Sequence, residues 1–368
     1  MLFARLYISG LRNIEQAEIN LGPGFNYLHG DNGAGKTAVL EALHVLARGR
    51  SFRATNLDQL VSRANQEMLI RAEVSTGSSL RKLGFLRRGS TNEFSVDGER
   101  GKGFATLAEH IAVQTLLPNS ADLIYGAPTE RRRFIDWGLF HVEHSFLQLS
   151  RRYGRTLQQR NAWLKQQPED ISLSSDPWFE SLCQLGAQLN EAREAYVTKL
   201  DTPFQRALKA LSVDLDIGLF YQWGGLVSLD ESEKKMSESF ARDVKFGSTH
   251  RGPHRAELGV YSLRGDQRDN AQEVLSRGQA KVVASAMMLA QVELQRNETD
   301  EGSVVLIDDF GAELDAEHWR RFVVMLEQLG CQVISTSTEP PENQAWLDEV
   351  TCDVFHVEHG SVRASASN

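Results

Sequence analysis

The fold is set by one stretch of the chain, Gly30-Asp31-Asn32-Gly33-Ala34-Gly35-Lys36-Thr37. It fits the phosphate-loop pattern GxxxxGK[ST] without a mismatch. It lies between an apolar run at residues 25–28 and a helical spacing of apolar side chains over residues 36–48. In such a loop the glycines let backbone N–H groups turn towards phosphate oxygens, and the N-terminus of the following helix favours an anion. The stretch therefore predicts a nucleotide site in an α/β fold, with Lys36 at the β- and γ-phosphates and Thr37 at Mg²⁺.

A partner motif should be a buried apolar strand that ends in a carboxylate, and Val304-Val305-Leu306-Ile307-Asp308-Asp309 has this form. We assign Asp308 to the metal ion, and Asp309 to positioning or deprotonating the attacking water. A strand that ends in two acids is a weak signal alone, because carboxylates at strand ends are usually solvated. Together with the phosphate loop it becomes a strong one.

A third motif, Leu275-Ser276-Arg277-Gly278-Gln279, stands directly before a predicted helix at residues 280–295. It is similar to the LSGGQ signature of ABC-type ATPases. A serine hydroxyl and a glycine backbone at a helix N-terminus suit a γ-phosphate presented by another subunit, so Ser276, Gly278 and Gln279 are candidate nucleotide ligands. Taken alone, the same residues fit an ordinary helix cap. Their position about 30 residues before the acidic strand favours the ATPase.

Three more candidates follow from the order of motifs. Glu313-Leu314-Asp315 resembles the D-loop, and Gln114, after the apolar residues 111–113, resembles the Q-loop. A lone glutamine at a strand end is more often a surface residue. The switch loop of ABC transporters mostly carries histidine, whereas this chain has hydroxyl side chains at that place, and the sequence does not choose among Ser335, Thr336, Ser337 and Thr338.

Hydrophobic periodicity divides the chain into three parts. The predicted strands are residues 3–8, 16–19, 25–28, 68–74, 80–86, 93–96, 304–307 and 332–335, and the predicted helices are residues 36–48, 130–140, 146–165, 178–210, 280–295 and 316–328. We expect an ABC-type P-loop ATPase head with a β-rich N-terminal subdomain in residues 1–127, an inserted α-helical lobe in residues 128–245, and the rest of the head in residues 246–368.

The composition limits the classes of protein to which the chain can belong. With 41% hydrophobic residues in 368, the chain is expected to fold. It has no apolar stretch near the roughly 20 residues of a membrane span, and its N-terminus does not resemble a signal peptide. We therefore expect a cytoplasmic protein. A net charge of −9 argues against a surface that binds nucleic acid everywhere, so any DNA contact should be a local patch.

Further stretches, with the motifs above, resemble the RecF family of bacterial recombination and repair proteins over essentially the whole chain. They are Leu11-Arg12-Asn13-Ile14-Glu15, Gly49-Arg50-Ser51-Phe52-Arg53, Arg131-Arg132-Arg133-Phe134-Ile135-Asp136, Gly252-Pro253-His254-Arg255 and Ile307-Asp308-Asp309-Phe310. Related SMC proteins carry hundreds of residues of heptad repeat between the two ATPase motifs. Here the insertion is about 120 residues without sustained heptads, which indicates a short helical lobe.

The resemblance implies an ATP-dependent DNA-binding protein with ATP and Mg²⁺ as cofactors. Two protomers would sandwich two ATP molecules and clamp DNA, with slow, DNA-dependent ATP hydrolysis. The resemblance also implies a nucleotide contact from Arg12, and roles in gap repair, replication and SOS induction with RecR and RecO as pathway partners. Single-stranded, duplex and gapped DNA all stay open as the ligand.

Two basic regions of the sequence suit DNA. One is the cluster His250, Arg251, His254 and Arg255 in a Gly-Pro loop, which either faces DNA or caps the hinge between the lobes. The other is longer. Residues 127–165 hold eight Arg or Lys against three acids. Arginines on helices can follow a phosphate backbone without reading sequence, although a solvated helix face with ion pairs fits each of them almost equally well. The candidate DNA ligands are Arg131, Arg132, Arg133, Arg151, Arg152 and Arg255.

Two other classes use a phosphate loop. A transporter ATPase subunit would share all three motifs, but it predicts a switch histidine and membrane-coupling partners. A small-molecule kinase does not explain the signature or the roughly 270 residues between the phosphate loop and the acidic strand.

Overall fold

The computed structural model describes the whole chain apart from residues 78, 167–171, 227–228, 266, 310–313, 345, 347–349 and 366–368. The chain forms two compact units. Unit 1 comprises Met1–Ser120, Ala207–Val213 and Lys281–Asn368, and unit 2 comprises Ala121–Arg206 and Asp214–Ala280. The predicted α/β fold is confirmed.

Unit 2 starts near the predicted lobe boundary at residue 128, but it extends to Ala280. It therefore includes residues 246–280, which the sequence analysis assigned to the head. The functional division into a head and a lobe stays a prediction.

Unit 1 contains a six-stranded sheet that is parallel except for its last strand. Its strands are β3 (Phe25–His29), β8 (Val113–Leu116), β12 (Val304–Ile307), β13 (Gln332–Ser337), β14 (Cys352–Glu358) and β15 (Ser361–Ala364). Their order in the sheet is β15-β14-β3-β13-β12-β8. Every residue of β12 and β13 is buried, as expected for strands covered on both faces. In this order β13 alone separates β3 from β12, so their carboxyl ends lie close together at one edge.

The second sheet of unit 1 is antiparallel. Its strands are β1 (Leu2–Leu11), β2 (Ile14–Asn20), β4 (Glu67–Thr76), β5 (Ser79–Arg88), β6 (Thr91–Val96) and β7 (Glu99–Gly101), in the order β2-β1-β4-β5-β6-β7. Buried positions alternate along β4, which is the pattern of a strand with one face on a core. Helices α1 (Lys36–Arg48) and α2 (Phe104–Ala108) belong to the same unit, and side chains from α1 and both sheets form one hydrophobic core. The predicted β-rich character of the N-terminal part of the chain is thus confirmed.

Unit 2 combines helices with a small antiparallel sheet. The elements that start in this unit are α3 (Asp122–Tyr125), α4 (Pro128–Val142), α5 (Phe146–Gln166), α6 (Phe179–Ala210), β9 (Ile217–Gln222), α7 (Leu229–Glu238), α8 (Phe240–Phe246), β10 (Glu257–Arg264), β11 (Gln267–Asn270), α9 (Ala271–Val274) and α10 (Arg277–Thr299). The sheet has the order β11-β10-β9. The sequence analysis predicted the long helices but missed this sheet, because Gly218 and Gly259 interrupt the apolar runs of β9 and β10.

The remaining helix, α11 (Ala316–Gln328), lies in unit 1, and short 3₁₀ turns occupy Leu57–Leu60, Leu173–Ser175, Pro253–Arg255 and Pro341–Asn343. Among the described residues, no helix combines the length and the apolar character that crossing a membrane requires.

Candidate nucleotide site

The phosphate loop joins β3 to α1 in the predicted way. Gly30, Gly33 and Gly35 have φ angles of 150°, 80° and 118°, a region that L side chains rarely adopt. A Cβ atom on Gly30 would also lie 2.1 Å from the carbonyl oxygen of Val357. Gly35 precedes α1 and has no side chain that could cap it, so the N–H groups of the first turn are available to an anion.

Lys36 is held by the loop itself. Its Nζ donates to the carbonyl oxygens of Gly30 at 2.7 Å and Asp31 at 2.9 Å, and the side chain is largely buried. Burial lowers the pKa of this amine, while the carboxylates of Asp309, Asp308 and Asp31 act in the opposite direction. The effect of burial is the larger one, so the pKa of Lys36 lies below its ordinary value.

Asp308 lies at the end of β12 and is buried. Its Oδ1 accepts hydrogen bonds from Thr37 Oγ1 at 2.8 Å and from Thr336 Oγ1 at 3.0 Å. Its Oδ2 pairs with Arg53 Nη2 at 3.1 Å. The two side chains that the sequence assigned to Mg²⁺ are thus in direct contact, and both offer the oxygen atoms that this ion prefers.

The backbone turns sharply after Asp308. Asp309 has a φ of 58°, an uncommon value for a residue other than glycine but one that Asp adopts more readily than most. Its N–H donates to Thr336 Oγ1 at 2.9 Å. Its side chain is exposed and lines the cavity at the phosphate loop.

Thr336 stands out among the hydroxyl residues of the switch segment. It bridges Asp308 and the Asp309 backbone, and it lines the cavity together with Thr338. Ser335 instead donates to the carbonyl oxygen of Asn26 inside the sheet, at 3.5 Å. Side chains alternate along a strand, so Thr336 lies on the face of β13 opposite to that of Ser335.

The cavity at the phosphate loop has a volume of about 260 Å³. It is lined by the predicted residues Arg12, Lys36, Thr37, Asp308 and Asp309, among others. Four lining residues had no assigned role, namely Asn13, Ala38, Glu41 and Arg53. Asn13 and Arg53 belong to stretches that carried the family resemblance. That resemblance was the sequence signal that could have identified them as residues of the site.

Arg12 is oriented by a buried acid. Its Nη2 donates to Glu41 Oε1 at 2.8 Å, and Ser51 Oγ donates to the same oxygen at 2.5 Å. Glu41 is fully buried and lies one helical turn after Thr37 on α1. The α1 helix therefore positions both a predicted metal ligand and the acid that holds Arg12.

Gln114 has a different environment from the cavity residues. It lies on β8, is buried, and its Nε2 donates to Gln291 Oε1 at 2.5 Å. Its Oε1 accepts from Arg48 Nη2 at 3.1 Å. Gln114 is not among the residues that line the cavity. Its role as a nucleotide contact stays a prediction.

The signature segment forms a capping box at the start of α10. The Ser276 N–H donates to Gln279 Oε1 at 2.9 Å, and the Gln279 N–H donates to Ser276 Oγ at 3.3 Å. Ser276, Gly278 and Gln279 are all exposed, and a Cβ atom on Gly278 would meet no atom within 4 Å. The helix-cap interpretation is thus confirmed, and the same groups face open space within unit 2.

The D-loop candidate is described only in part, because Glu313 lies outside the described residues. Asp315 caps α11, since its Oδ1 accepts from the N–H groups of Glu317 at 3.1 Å and His318 at 3.0 Å. The hydrogen bond from the His318 backbone is the main cause of the lowered pKa of Asp315.

The burial of Arg131 argues against the prediction that this residue binds DNA. This side chain is buried, pairs with Glu257 at 2.7 Å, and donates to the carbonyl oxygens of Ile124 and Gly126 at 2.9 Å. It links three segments of unit 2 and is not on a surface that a phosphate backbone can reach. Counting charges along the sequence could not show this burial.

The other predicted arginines differ in exposure. Arg132 is half-buried and donates to the carbonyl oxygen of Ala256 at 2.7 Å. Arg133 is exposed and pairs with Glu130 at 2.6 Å. Arg151, Arg152 and Arg255 are exposed, and no ion pair holds them within the part of the chain that the structure describes.

Comparison with known proteins gives the family. The family model described as RecF/RecN/SMC N terminal domain matches residues 2–363. The chain is 36% identical to the DNA replication and repair protein RecF of Pseudomonas putida over 98% of both chains. It is 35% identical to the corresponding Pseudomonas aeruginosa protein over 98% of this chain and 97% of the relative.

Solved structures agree in fold. A structure of the recombination mediator protein RecF with ATP in the RecFOR pathway has a TM-score of 0.87 at 23% identity, covering 99% of this chain and 97% of that chain. An SMC head bound to the C-winged helix domain of ScpA has a TM-score of 0.61 at 13% identity, covering 99% of this chain and 97% of that one. These likenesses confirm the predicted ATPase-head fold. The chain belongs to the RecF family.

Proposed function

We propose that this chain is an ATP-dependent DNA-binding protein of recombinational repair and replication, with weak ATPase activity that DNA stimulates. The observation that carries the proposal is the contact between Thr37 and Asp308, with Oγ1 and Oδ1 2.8 Å apart. It joins the phosphate loop to the acidic strand at one cavity. The names of the relatives, DNA replication and repair proteins, support the biological process.

Thr37 and Asp308 would hold Mg²⁺, and the glycine-rich loop with Lys36 would hold the β- and γ-phosphates of ATP. The donor set fits, because a hydroxyl and a carboxylate oxygen already converge and Mg²⁺ keeps several waters besides one or two protein ligands. When bound, Mg²⁺ supplies positive charge that offsets the charge developing on the phosphates. Asp309 would orient the attacking water, since its exposed carboxylate lines the same cavity.

Arg53 would change partner when ATP and Mg²⁺ arrive. Its guanidinium pairs with the carboxylate that we assign to the metal, at 3.1 Å. A cation at Asp308 would compete with that pair and leave Arg53 beside the phosphates, where a guanidinium makes strong, charge-assisted hydrogen bonds. Arg53 would thus stabilise the nucleotide-bound state.

The catalytic pocket would be completed by a second copy of the chain. Ser276 and Gly278 stand exposed at the N-terminus of α10, a position that suits a phosphate presented from outside. In a homodimer, each protomer would give its phosphate loop to one ATP and its signature to the other. Hydrolysis would be slow because the pocket exists only in the dimer.

DNA would bind through the exposed arginines, with Arg151 and Arg152 on α5 as the main contacts.

We propose that residues 128–245 act as the inserted lobe and that residues 1–127 and 246–368 act as the head. Gap repair, SOS induction, a cytoplasmic location, and RecR and RecO as partners belong to the same proposal, supported by relatives whose structures are described within the RecFOR pathway. The transporter alternative is not favoured, since the relatives are repair proteins.

Sedimentation velocity tests the proposal directly. The chain should sediment as a monomer without nucleotide and as a dimer with ATP and Mg²⁺, and fluorescent duplex, gapped or single-stranded DNA should co-sediment with the dimer. The Lys36→Ala variant should stay monomeric because it can no longer hold the phosphates. A chain that never dimerises with ATP, or that binds DNA equally well without it, would refute the ATP-driven clamp.

A further inference from the structure

Unit 2 has a basic cavity of about 690 Å³ that is separate from the phosphate loop. Its lining includes three arginines, Arg242, Arg251 and Arg255, together with His250 and the acid Glu238. The volume falls within the range of sites for small ligands. Of these residues, His250, Arg251 and Arg255 belong to the second basic cluster of the sequence, from which Arg255 was taken as a candidate DNA ligand.

Two glycines shape one wall of the basic cavity. Gly224 has a φ of 68°, and a Cβ atom there would lie 2.2 Å from the carbonyl oxygen of Gly252. Its own carbonyl oxygen accepts from the Gly252 N–H at 3.0 Å. At Gly225 a Cβ atom would approach Arg251 Cγ to 3.3 Å. The bare backbone thus allows the Arg251 side chain to lie against the wall.

A buried network of hydrogen bonds holds the side chain of His250. The Asp243 carboxylate is fully buried, and its Oδ1 accepts from the His250 N–H at 3.0 Å and lies 3.1 Å from ring atom Nδ1. The other oxygen, Oδ2, accepts from Nη1 of the fully buried Arg160 at 2.8 Å. The network fixes the imidazole while it leaves Nε2 out of these contacts.

The charge in the basic cavity is only partly compensated. Arg251 Nη1 donates to the carbonyl oxygen of Lys235 at 3.0 Å and lies 3.6 Å from Glu238 Oε2. Arg242 and Arg255 are exposed, and neither is paired with a carboxylate within the described ranges of the chain. Two guanidinium groups without a carboxylate partner line one cavity, and their charge suits a phosphate.

An exposed aromatic ring lies beside one of these residues, His250. Phe246 ends α8, is 59% exposed, and its ring centroid is 5.3 Å from that of His250. A positive groove next to an exposed aromatic side chain is the pair of features with which proteins bind single-stranded nucleic acid, because the bases stack on the ring. Burial in a hydrophobic core does not explain this ring.

We propose that the basic cavity binds the phosphate of a nucleotide unit, held by Arg242 and Arg255, with the base stacked on Phe246. The inference rests on the proposed DNA function and assigns a strand of DNA to a defined site. A free nucleotide carries the same chemistry, so the source of the phosphate is a matter for experiment.

Calorimetric titration of the full chain tests this proposal. The chain carries Lys36→Ala, a substitution that removes binding at the phosphate loop. The probes are a short oligothymidylate, AMP and inorganic phosphate. Arg242→Gln should weaken oligothymidylate binding on the order of tenfold, because the variant cannot make a charge-assisted hydrogen bond. Phe246→Leu should weaken it about fivefold or more because the base has no ring to stack on. The matched control is Lys234→Gln, an exposed residue of α7 outside the basic cavity, which should change affinity less than about twofold.

The results distinguish a DNA strand from a free nucleotide as the source of the bound phosphate. Loss of oligothymidylate binding alone assigns the cavity to a strand, and parallel loss of AMP binding assigns it to a free nucleotide. Equal affinities in Arg242→Gln and Lys234→Gln for every probe would overturn the proposal, provided that thermal melting shows both variants folded. The proposed clamp is judged separately, by ATP-dependent dimerisation of the unmodified chain. If the unmodified chain did not dimerise with ATP, the clamp would be refuted, but an Arg242-dependent binding site would still be supported.

Discussion

Thr37 and Asp308 are 271 positions apart in the chain, yet Thr37 Oγ1 donates a hydrogen bond to Asp308 Oδ1 across 2.8 Å. The contact follows from sheet order. Because β13 alone lies between β3 and β12 and all three strands are parallel, the phosphate loop and the acidic strand end at the same edge. A hydroxyl and a carboxylate that already touch need little rearrangement to share one cation.

Asp308→Asn should lower steady-state ATP hydrolysis by about 100-fold or more, because the variant lacks the negative charge assigned to Mg²⁺. The amide oxygen can still accept from Thr37, so the fold should persist. ATPase assays with and without DNA measure the effect, and EDTA added to the unmodified chain should reproduce it. An Asp308→Asn variant that keeps more than half of the activity would exclude Asp308 as the metal ligand.

Thr336→Val should reduce both stability and hydrolysis. It removes the hydroxyl that donates to Asp308 and accepts from the Asp309 N–H, and unpaired buried polar groups cost about 1–3 kcal/mol each. Thr336→Ser should restore both properties, because it restores the hydroxyl. Ser335→Ala is the matched control, since the neighbouring Ser335 hydroxyl donates to the Asn26 carbonyl oxygen, at 3.5 Å, and not to Asp308. Urea unfolding and ATPase assays give the two readouts, and equal hydrolysis in the Val and Ser variants would rule out a role for the hydroxyl.

The parts of the site that are contiguous in the chain could be predicted without a structure. The phosphate loop and the strand that ends at Asp308 each require only local order, so a pattern of residue types is enough to find them. The helix predicted at residues 36–48 is α1 as observed, because its apolar face repeats without interruption and Gly49 ends it.

The rest of the site depends on contacts between distant segments. Choosing Thr336 from four hydroxyl residues needs the pairing of β12 with β13, which no local pattern contains. Arg53 contacts Asp308 from 255 positions away. Arg131 was assigned to a surface because charge counting does not register burial, and its partner Glu257 is 126 positions away.

Ser276→Arg should leave ATP binding intact and abolish ATP-dependent dimerisation. A long cationic side chain at the exposed start of α10 would block the phosphate that the second protomer presents. Loss of the capping box should also cost about 1 kcal/mol of stability. Asn270→Ala controls for that cost, since Asn270 caps α9 in the same unit but lies outside the signature. Sedimentation with ATP distinguishes the two variants, and a dimeric, active Ser276→Arg variant would end the composite-pocket proposal.

Arg151→Gln combined with Arg152→Gln should weaken DNA binding uniformly across sequences. The slope of log affinity against log salt should become shallower by about 0.9 for each duplex phosphate that the variant no longer neutralises. Thermal stability should hardly change, because both residues are exposed. Anisotropy titrations at several salt concentrations measure the slope, and an unchanged slope would exclude both arginines as phosphate ligands.

Arg131→Gln provides the contrast within the same basic region. Losing the buried guanidinium, which pairs with the partly exposed Glu257 and donates to two carbonyl oxygens, should destabilise the chain by about 1–3 kcal/mol, which is a folding defect and not a change in DNA contacts. If this variant melted normally and failed selectively in DNA binding, the correction of Arg131 would itself be wrong.

His254 should make the stability of the chain fall in mild acid. Its Nε2 lies 2.9 Å from the Thr249 carbonyl oxygen and its Nδ1 lies 2.7 Å from Tyr153 Oη, which suits a neutral ring that donates to the carbonyl and accepts from the phenol. Burial is the main cause that lowers the pKa of His254 from 6.5 to about 4. Between these pH values the unfolded chain binds a proton that the folded chain does not, so the free energy of unfolding should decrease by about 1.4 kcal/mol per pH unit as pH falls. His254→Gln keeps polar contacts without titrating, and its urea unfolding curves from pH 7 to 4.5 should show a slope smaller by that amount. Parallel slopes for the two proteins would mean that the folded chain protonates His254 as readily as the unfolded one.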